Sequence, residues 1–114
     1  MPEGKKSLNP IPSTLRGKKR YVKFTFISAV QVSERDAWNS ISSAFSRLFG
    51  ASGMAGQRLW LVKWYPQSNE GILRCALAEE EMVKAGLLFV QNAGSGPVIP
   101  LILKVSGSVK KLKT

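Results

Sequence analysis

Basic side chains are the residues of this sequence that point most directly to a chemical role. The 114 residues include 17 Lys and Arg against 7 Asp and Glu, giving a formal net charge of +10 at pH 7. A compact domain this basic usually binds a polyanion, most often a nucleic acid, because ammonium and guanidinium groups neutralise phosphates. An acidic membrane surface is the less favoured partner, since no stretch pairs a lysine-rich face with bulky apolar residues at helical spacing.

Residues suited to acid–base or metal chemistry are scarce. The sequence has no histidine, so the usual general base and a common metal ligand are both missing. Five of the seven acidic residues fall where helices are predicted to begin. Their negative charges stabilise the helices there by interacting with the positive end of the helix dipole; they are Glu34, Asp36, Glu79, Glu80 and Glu81. Because no spaced carboxylate pair is left over, we expect the chain to perform no catalysis by itself and to bind no metal or cofactor.

Hydrophobic spacing predicts four strands and two helices around a central strand at residues 71–77. The other strands are expected over 21–27, 58–65 and 98–105, and the helices from a cap at Ser33 to Gly50 and over 79–92. Residues 51–57 are expected to form a mobile loop. This order predicts an α+β fold, a ferredoxin-like or RRM-like split βαβ sandwich. Its four-stranded antiparallel sheet has strand order 4-1-3-2 and carries both helices on one face.

Three local features refine this prediction. Strand 58–65 is apolar on both sides, with alternate residues from Leu59 to Tyr65 on one side and from Trp60 to Trp64 on the other. This indicates a covered strand or a protein interface, and stacking of RNA bases on its two tryptophans is the less favoured alternative. Pro100 lacks an amide hydrogen, so the last strand should lie at a sheet edge. Gly86 interrupts a helical pattern and suggests close packing of that helix on the sheet.

The domain organisation follows from composition. Residues 1–17 contain several prolines and glycines and are expected to form a flexible basic arm, 18–106 the α/β sandwich, and 107–114 a basic C-terminal tail. The single cysteine, Cys75, cannot form an internal disulfide, and no run approaches the roughly 18 apolar residues of a membrane span. Together with the polar N-terminus, these features indicate a cytoplasmic protein with no membrane partner.

The predicted topology gathers the charges. The first strand runs antiparallel to the third and fourth strands. The basic cluster at the start of strand one, Lys18 to Arg20, should therefore lie beside the basic cluster at the end of strand four, from Lys104 to Lys113. Lys23, Arg74 and Lys104 should point to the sheet face that the helices leave open. The residues predicted to contact RNA phosphates are Arg16, Lys18, Lys19, Arg20, Lys23, Arg74, Lys104, Lys110 and Lys111. Because strand 71–77 lacks the aromatic residues of an RRM, structured RNA is favoured over a single strand.

Six blocks of the sequence form a recognisable series: PSTLRGKKRY (12–21), LFG (48–50), LWLV (59–62), GILRC (71–75), VKAGL (83–87) and LKVSGSVKK (103–111). In this order and spacing they resemble the ribonuclease P protein component 2 family, the small subunit shared by archaeal and eukaryotic ribonuclease P. The resemblance covers about residues 10–113, and the compact length is similar to that of archaeal members. The joined blocks 71–75 and 103–111 are the most specific.

This resemblance implies an accessory subunit of a ribozyme that removes the 5′ leader from precursor tRNA. The RNA and its magnesium ions would perform the hydrolysis, and the protein would contact precursor tRNA only indirectly. Family members pair with a TIM-barrel protein subunit, and two such pairs can assemble around a homodimer as a heterotetramer. Two alternatives stay open: a general structured-RNA-binding or ribosomal-type protein, and an acylphosphatase-like hydrolase. The hydrolase is disfavoured, because residues 27–32 offer neither glycine nor arginine to cradle a phosphate.

Overall fold

The sheet and helices follow the predicted order. A computed structural model describes residues 18–112 of the chain. The elements are β1 (Lys19–Ile27), α1 (Glu34–Gln57), β2 (Trp60–Tyr65), β3 (Glu70–Ala76), α2 (Glu80–Leu87), β4 (Asn92–Ala93), β5 (Gly96–Pro97) and β6 (Ile99–Ser106), with 3-10 turns at Leu77–Glu79 and Val109–Leu112. The main sheet is antiparallel throughout, in the order β2-β3-β1-β6, and a short β4-β5 hairpin stands apart. The predicted α+β sandwich and its strand order are therefore confirmed.

The core lies between the sheet and the helices. On β1, Val22, Phe24 and Phe26 alternate with half-exposed residues and are almost completely buried. Leu73 faces the same way because it pairs with Val22 in the antiparallel register. The helices cover this face, with Phe45 of α1 among the fully buried side chains. The two-residue period of the strands therefore decides which face of the sheet is covered.

Helix α1 begins as predicted but does not end at Gly50. Ser33 caps its N-terminus, where the side-chain oxygen accepts a hydrogen bond from the Asp36 amide at 3.1 Å. Gly50 has φ 73° and interrupts the helix, but the chain resumes helical geometry and continues to Gln57. The predicted mobile loop at 51–57 is therefore wrong. Met54 packs against the core and Gln57 is buried, so tertiary contacts keep this segment helical despite its glycines.

Helix α2 is shorter than predicted, and Gly86 packs against a helix rather than the sheet. It ends at Leu87 instead of near Asn92. A Cβ at Gly86 would lie 2.7 Å from Cζ of Phe45 on α1, so the glycine allows the two helices to approach closely. The predicted close packing is present, but its partner is α1.

Strand β2 contains a bulge that the alternating pattern does not reveal. Leu61 pairs with Leu73 and Lys63 pairs with Ile72, so Val62 is the extra residue. The bulge places Leu61 and Trp64 in the core and leaves Lys63 exposed. The expected grouping of Leu61 with Lys63 on one side is therefore wrong.

Asn69, in the turn between β2 and β3, holds the linker that leads into α1. Its Oδ1 accepts a hydrogen bond from the Val32 amide at 2.8 Å, and its Nδ2 donates to the Val30 carbonyl at 3.0 Å. The indole Nε1 of Trp64 donates to the Val32 carbonyl at 2.8 Å. The position of the start of α1 thus depends on side chains from the β2–β3 hairpin.

The C-terminal strand lies at a sheet edge, as Pro100 predicts, because within residues 18–112 β1 is the one strand that pairs with β6. Beyond it, the segment predicted as a tail forms the 3-10 turn Val109–Leu112, which buries Leu112 almost completely. The turn anchors the basic residues Lys110 and Lys111 near the end of β6. No helix within residues 18–112 has the length and apolar character needed to cross a membrane.

Candidate nucleic-acid interface

The sheet face opposite the helices carries three of the predicted RNA contacts. Lys23 on β1 pairs directly with Lys104 on β6, and Tyr21, two residues earlier, pairs with Arg74 on β3. Because alternate residues of a strand share a face, Lys23, Arg74 and Lys104 lie together on this open face, as the sequence predicted. Their contact with RNA stays a prediction.

Lys63 extends this row and was missed by sequence reasoning. The bulge in β2 places Lys63 opposite Ile72, which in turn pairs with Lys23. Lysines from β2, β1 and β6 therefore form one row across the sheet around the fully buried Ile72. The ammonium of Lys63 also lies 5.7 Å from the centre of the Tyr65 ring. No alternation rule indicates this placement, because the bulge shifts the face by one residue.

The two terminal basic clusters lie side by side. Tyr21 pairs with Ser106, so the start of β1 runs beside the end of β6. A Cβ at Gly107 would lie 3.1 Å from Nη1 of Arg20, which places the Arg20 guanidinium against the segment that follows β6. Lys18, Lys19, Lys104, Lys110 and Lys111 are all exposed. Arg16 lies outside the described residues.

The side chain of Arg20 points to the helix-facing side of the sheet, away from the open face. It pairs with Cys75 and so shares the helix-facing side of β1 with Val22. Its Nε lies 3.2 Å from Oε1 of Glu80, a charge contact without the alignment of a hydrogen bond. Glu80 is also 3.5 Å from Nζ of Lys84. Arg20 therefore ties β1 to the start of α2, a structural role that its place in a basic cluster does not indicate.

The lysines of the open face differ in how well they are neutralised. Lys23 lies 3.8 Å from Oε1 of Glu70, and its side chain is only 18% exposed. For Arg74 and Lys104, no carboxylate partner lies within ion-pair distance among residues 18–112. Like charges that face each other across strands destabilise a sheet, so the Lys23–Lys104 pair is stabilised by any anion bound between the two strands.

Metal-binding and nucleophilic groups do not gather in the described part of the chain. Residues 18–112 contain no group of three or more His, Cys, Asp or Glu side chains that could hold a metal ion. The pKa of the Cys75 thiol is raised to about 11, mainly by burial and also by the nearby Glu80 and Glu79, while Arg20 lowers it. A thiol held neutral and inaccessible is a poor nucleophile.

The raised pKa of Cys75 predicts a specific alkaline response. The ordinary pKa is 9.0 and the folded value is about 11, so above pH 9 the unfolded thiol loses its proton first. Stability should therefore fall as the pH rises from 9 to 11, by as much as about 2–3 kcal/mol relative to a Cys75→Ala variant. Denaturant titrations of both proteins across this range measure the difference, and parallel pH profiles would contradict the prediction.

The sequence is similar to known proteins over most of its length. The model of the Rpp14/Pop5 family matches residues 20–114. Ribonuclease P protein component 2 of Methanocaldococcus jannaschii is 35% identical over 106 residues, which cover 93% of this chain and 78% of that protein. The protein of the same name from Pyrococcus furiosus is 35% identical over 103 residues, covering 90% and 86%.

A solved structure supports the fold independently. A chain in the cryo-EM structure of yeast ribonuclease MRP superposes with a TM-score of 0.64 at 16% identity, covering 86% of this chain and 79% of that one. The family model and the archaeal relatives confirm the resemblance found in the sequence. The chain is a member of the Rpp14/Pop5 family.

Proposed function

We propose that the chain is a protein subunit of ribonuclease P, the ribonucleoprotein that removes the 5′ leader from precursor tRNA. The observation that carries this proposal is that relatives named ribonuclease P protein component 2 align over 90% or more of the chain. The subunit binds and stabilises the catalytic RNA and contacts precursor tRNA only indirectly. Its place of action is the cytoplasm.

The open face supplies the binding energy in this proposal. Lys19, Lys23, Lys63 and Lys104 present ammonium groups from three strands, and the turn at Val109–Leu112 adds Lys110. Phosphates between these groups relieve the repulsion within the protein and within the RNA at the same time. Contacts of this kind fix the position of an RNA helix without reading its sequence. Magnesium ions held by the RNA perform the cleavage, and the protein binds no cofactor.

Protein partners are a second part of the proposal. Exposed apolar side chains cluster along β6 and beside its end, where Ile99 is 63% exposed and its register partner Ile27 is 50% exposed. Leu101 and Leu103 on the same strand are also nearly half exposed. A cluster of this size is typical of a surface that another protein covers. We assign it to the partner proteins of the complex: the TIM-barrel subunit and a second copy of this chain within a heterotetramer.

The linker before α1 counts against the hydrolase alternative. A phosphate-cradling loop needs free amides that point at the anion. The Val32 amide donates instead to Asn69, and the Val30 amide donates to the Ser28 hydroxyl at 3.2 Å. A general RNA-binding or ribosomal-type role differs from the proposed function only in which RNA is bound.

Identifying the RNA bound in the native cell tests the proposed function. We expect the isolated complex to contain ribonuclease P RNA, and the purified chain together with its partner subunit to lower the magnesium concentration at which that RNA cleaves precursor tRNA. Electrostatic support by lysines substitutes for part of the screening that magnesium provides. Recovery of ribosomal RNA alone, or cleavage by the protein without RNA, would refute the proposal.

A further inference from the structure

A cleft at the β2 edge of the molecule has no place in the basic surface described above. It has a volume of about 390 Å³ and is lined by Glu34, Arg35 and Trp38 of α1 and by Trp60 and Leu61 of β2. Trp60 is 55% exposed. Its centre lies 5.8 Å from that of Trp38, with the ring planes tilted by 58°. Two indoles therefore form one corner of an open, partly charged site.

The two tryptophans of β2 differ in burial and in hydrogen bonding. Trp64 is buried, packs near Phe24 and Phe26, and donates its indole hydrogen to the Val32 carbonyl. Trp60 leaves more than half of its surface in solvent, and among residues 18–112 its indole N–H has no protein acceptor. A large aromatic side chain kept exposed, with an unused donor, is available for a ligand.

The cleft is joined to the basic face through the strand register. Trp60 pairs with Arg74, and Arg74 pairs with Tyr21. Arg35 lines the same cleft as Trp60 and adds a second guanidinium to this region. A flat aromatic surface with arginines beside it fits a nucleotide, whose base stacks while its phosphate is neutralised.

We propose that the Trp38–Trp60 cleft binds one unpaired nucleobase, stacked on Trp60, from the RNA that the open face holds. The adjoining phosphate lies beside Arg35, and the Glu34 carboxylate accepts a hydrogen bond from an amino or imino group of the base. The inference rests on the proposed function and adds to it a site for single-stranded RNA beside the site for helical RNA.

The distribution of exposed apolar residues favours a base over a protein side chain. The apolar cluster of Ile27, Ile99, Leu101 and Leu103 lies at the β6 end of the sheet, on the far side from β2. That cluster has the aliphatic character of a protein contact, whereas the Trp38–Trp60 cleft combines aromatic rings with charged groups. The two edges of the sheet therefore suit different partners.

The test compares Trp60→Leu and Trp60→Phe with the unaltered chain. The probes are a single-stranded RNA of about eight nucleotides, close to the site size of a stacking surface, and a fully paired duplex of the same length. We expect Trp60→Leu to bind the single strand about 5- to 30-fold more weakly, the loss of one stacked base. Trp60→Phe should restore most of the affinity. The duplex should bind equally well to all three proteins.

Two further readouts separate stacking from charge. The salt dependence of binding should be unchanged in Trp60→Leu, since no phosphate contact is lost, and reduced in Arg35→Gln. The single strand should quench tryptophan fluorescence in the unaltered chain and much less in Trp60→Leu. Phe89→Leu is the matched control, because Phe89 is 60% exposed and lies beyond the end of α2.

Three results would overturn the inference. If Trp60→Leu binds the single strand within twofold of the unaltered chain, the cleft holds no base, while normal duplex binding leaves the proposed function intact. If the same variant loses only its protein partner, the cleft is a protein site. If the unaltered chain binds neither RNA, the proposed function fails together with the inference.

Discussion

Replacing Lys19 and Lys104 by glutamine should weaken binding of structured RNA roughly 10- to 100-fold at about 0.1 M salt. The two residues come from opposite ends of the described chain, and both are exposed. Lys19 lies on β1, four residues before Lys23, which pairs with Lys104, so all three share the open face. Removing two phosphate contacts should also reduce the slope of log K against log salt by about 2.

The control removes the same number of charges from the helix side of the molecule. Arg47 is exposed on α1, and Lys84 lies on α2 beside Glu80 and Glu81. The Arg47→Gln/Lys84→Gln variant therefore has the same net charge as Lys19→Gln/Lys104→Gln. Filter binding or fluorescence anisotropy across a salt series measures both. Equal losses in the two variants would mean that net charge alone, and not the open face, carries the binding.

Asn69→Ala should lower the free energy of unfolding by about 3–4 kcal/mol. The substitution removes both hydrogen bonds of the side chain, so the buried Val32 amide and the Val30 carbonyl lose their partners. A buried backbone group left unsatisfied, here the Val32 amide, costs about 1–3 kcal/mol, and the part-buried Val30 carbonyl costs less because water can reach it. Asn69 also adopts φ 53°, a left-handed conformation that asparagine tolerates better than alanine. For a domain stabilised by roughly 5–15 kcal/mol, this loss is severe.

Two further variants separate these causes. Asn69→Gly keeps the left-handed backbone and loses only the hydrogen bonds, so it should be less damaging than alanine by about 1 kcal/mol. Asn69→Asp keeps the acceptor for the Val32 amide but places a carboxylate oxygen against the Val30 carbonyl, so that it combines the lost donor with charge repulsion. Urea denaturation of the three proteins should rank the glycine variant above the alanine variant in stability. An alanine variant within 1 kcal/mol of the unaltered chain would contradict the role assigned to this side chain.

Local patterns were sufficient for most of the fold. The alternation of Val22, Phe24 and Phe26 fixes the buried face of β1, and Ser33 with Asp36 marks the start of α1. Such features depend on neighbouring residues only, so a sequence shows them. The helix beyond Gly50 could not be predicted in this way, because a glycine with positive φ is equally compatible with an ending and with a kink.

The candidate site likewise contains some residues whose position the sequence predicted and others whose position it did not predict. The sequence predicted that Lys23, Arg74 and Lys104 share a face, because each belongs to a regular strand of a topology that could be deduced. It did not predict that Lys63 joins them or that Arg20 turns toward Glu80. The position of Lys63 on the open face depends on a bulge in β2. The direction of Arg20 follows from its parity on β1, but its partner depends on where α2 packs.

By itself, the sequence determined the basic character of the protein, its element order, its strand arrangement and its family. These properties follow from composition, short-range periodicity and the restricted ways of connecting strands and helices. Only the tertiary structure decided the role of Asn69 in holding the α1 linker, the helical continuation to Gln57 and the meeting of Trp38 with Trp60. Each of these joins residues distant in sequence or overrides a local preference, and packing against the rest of the chain selects it.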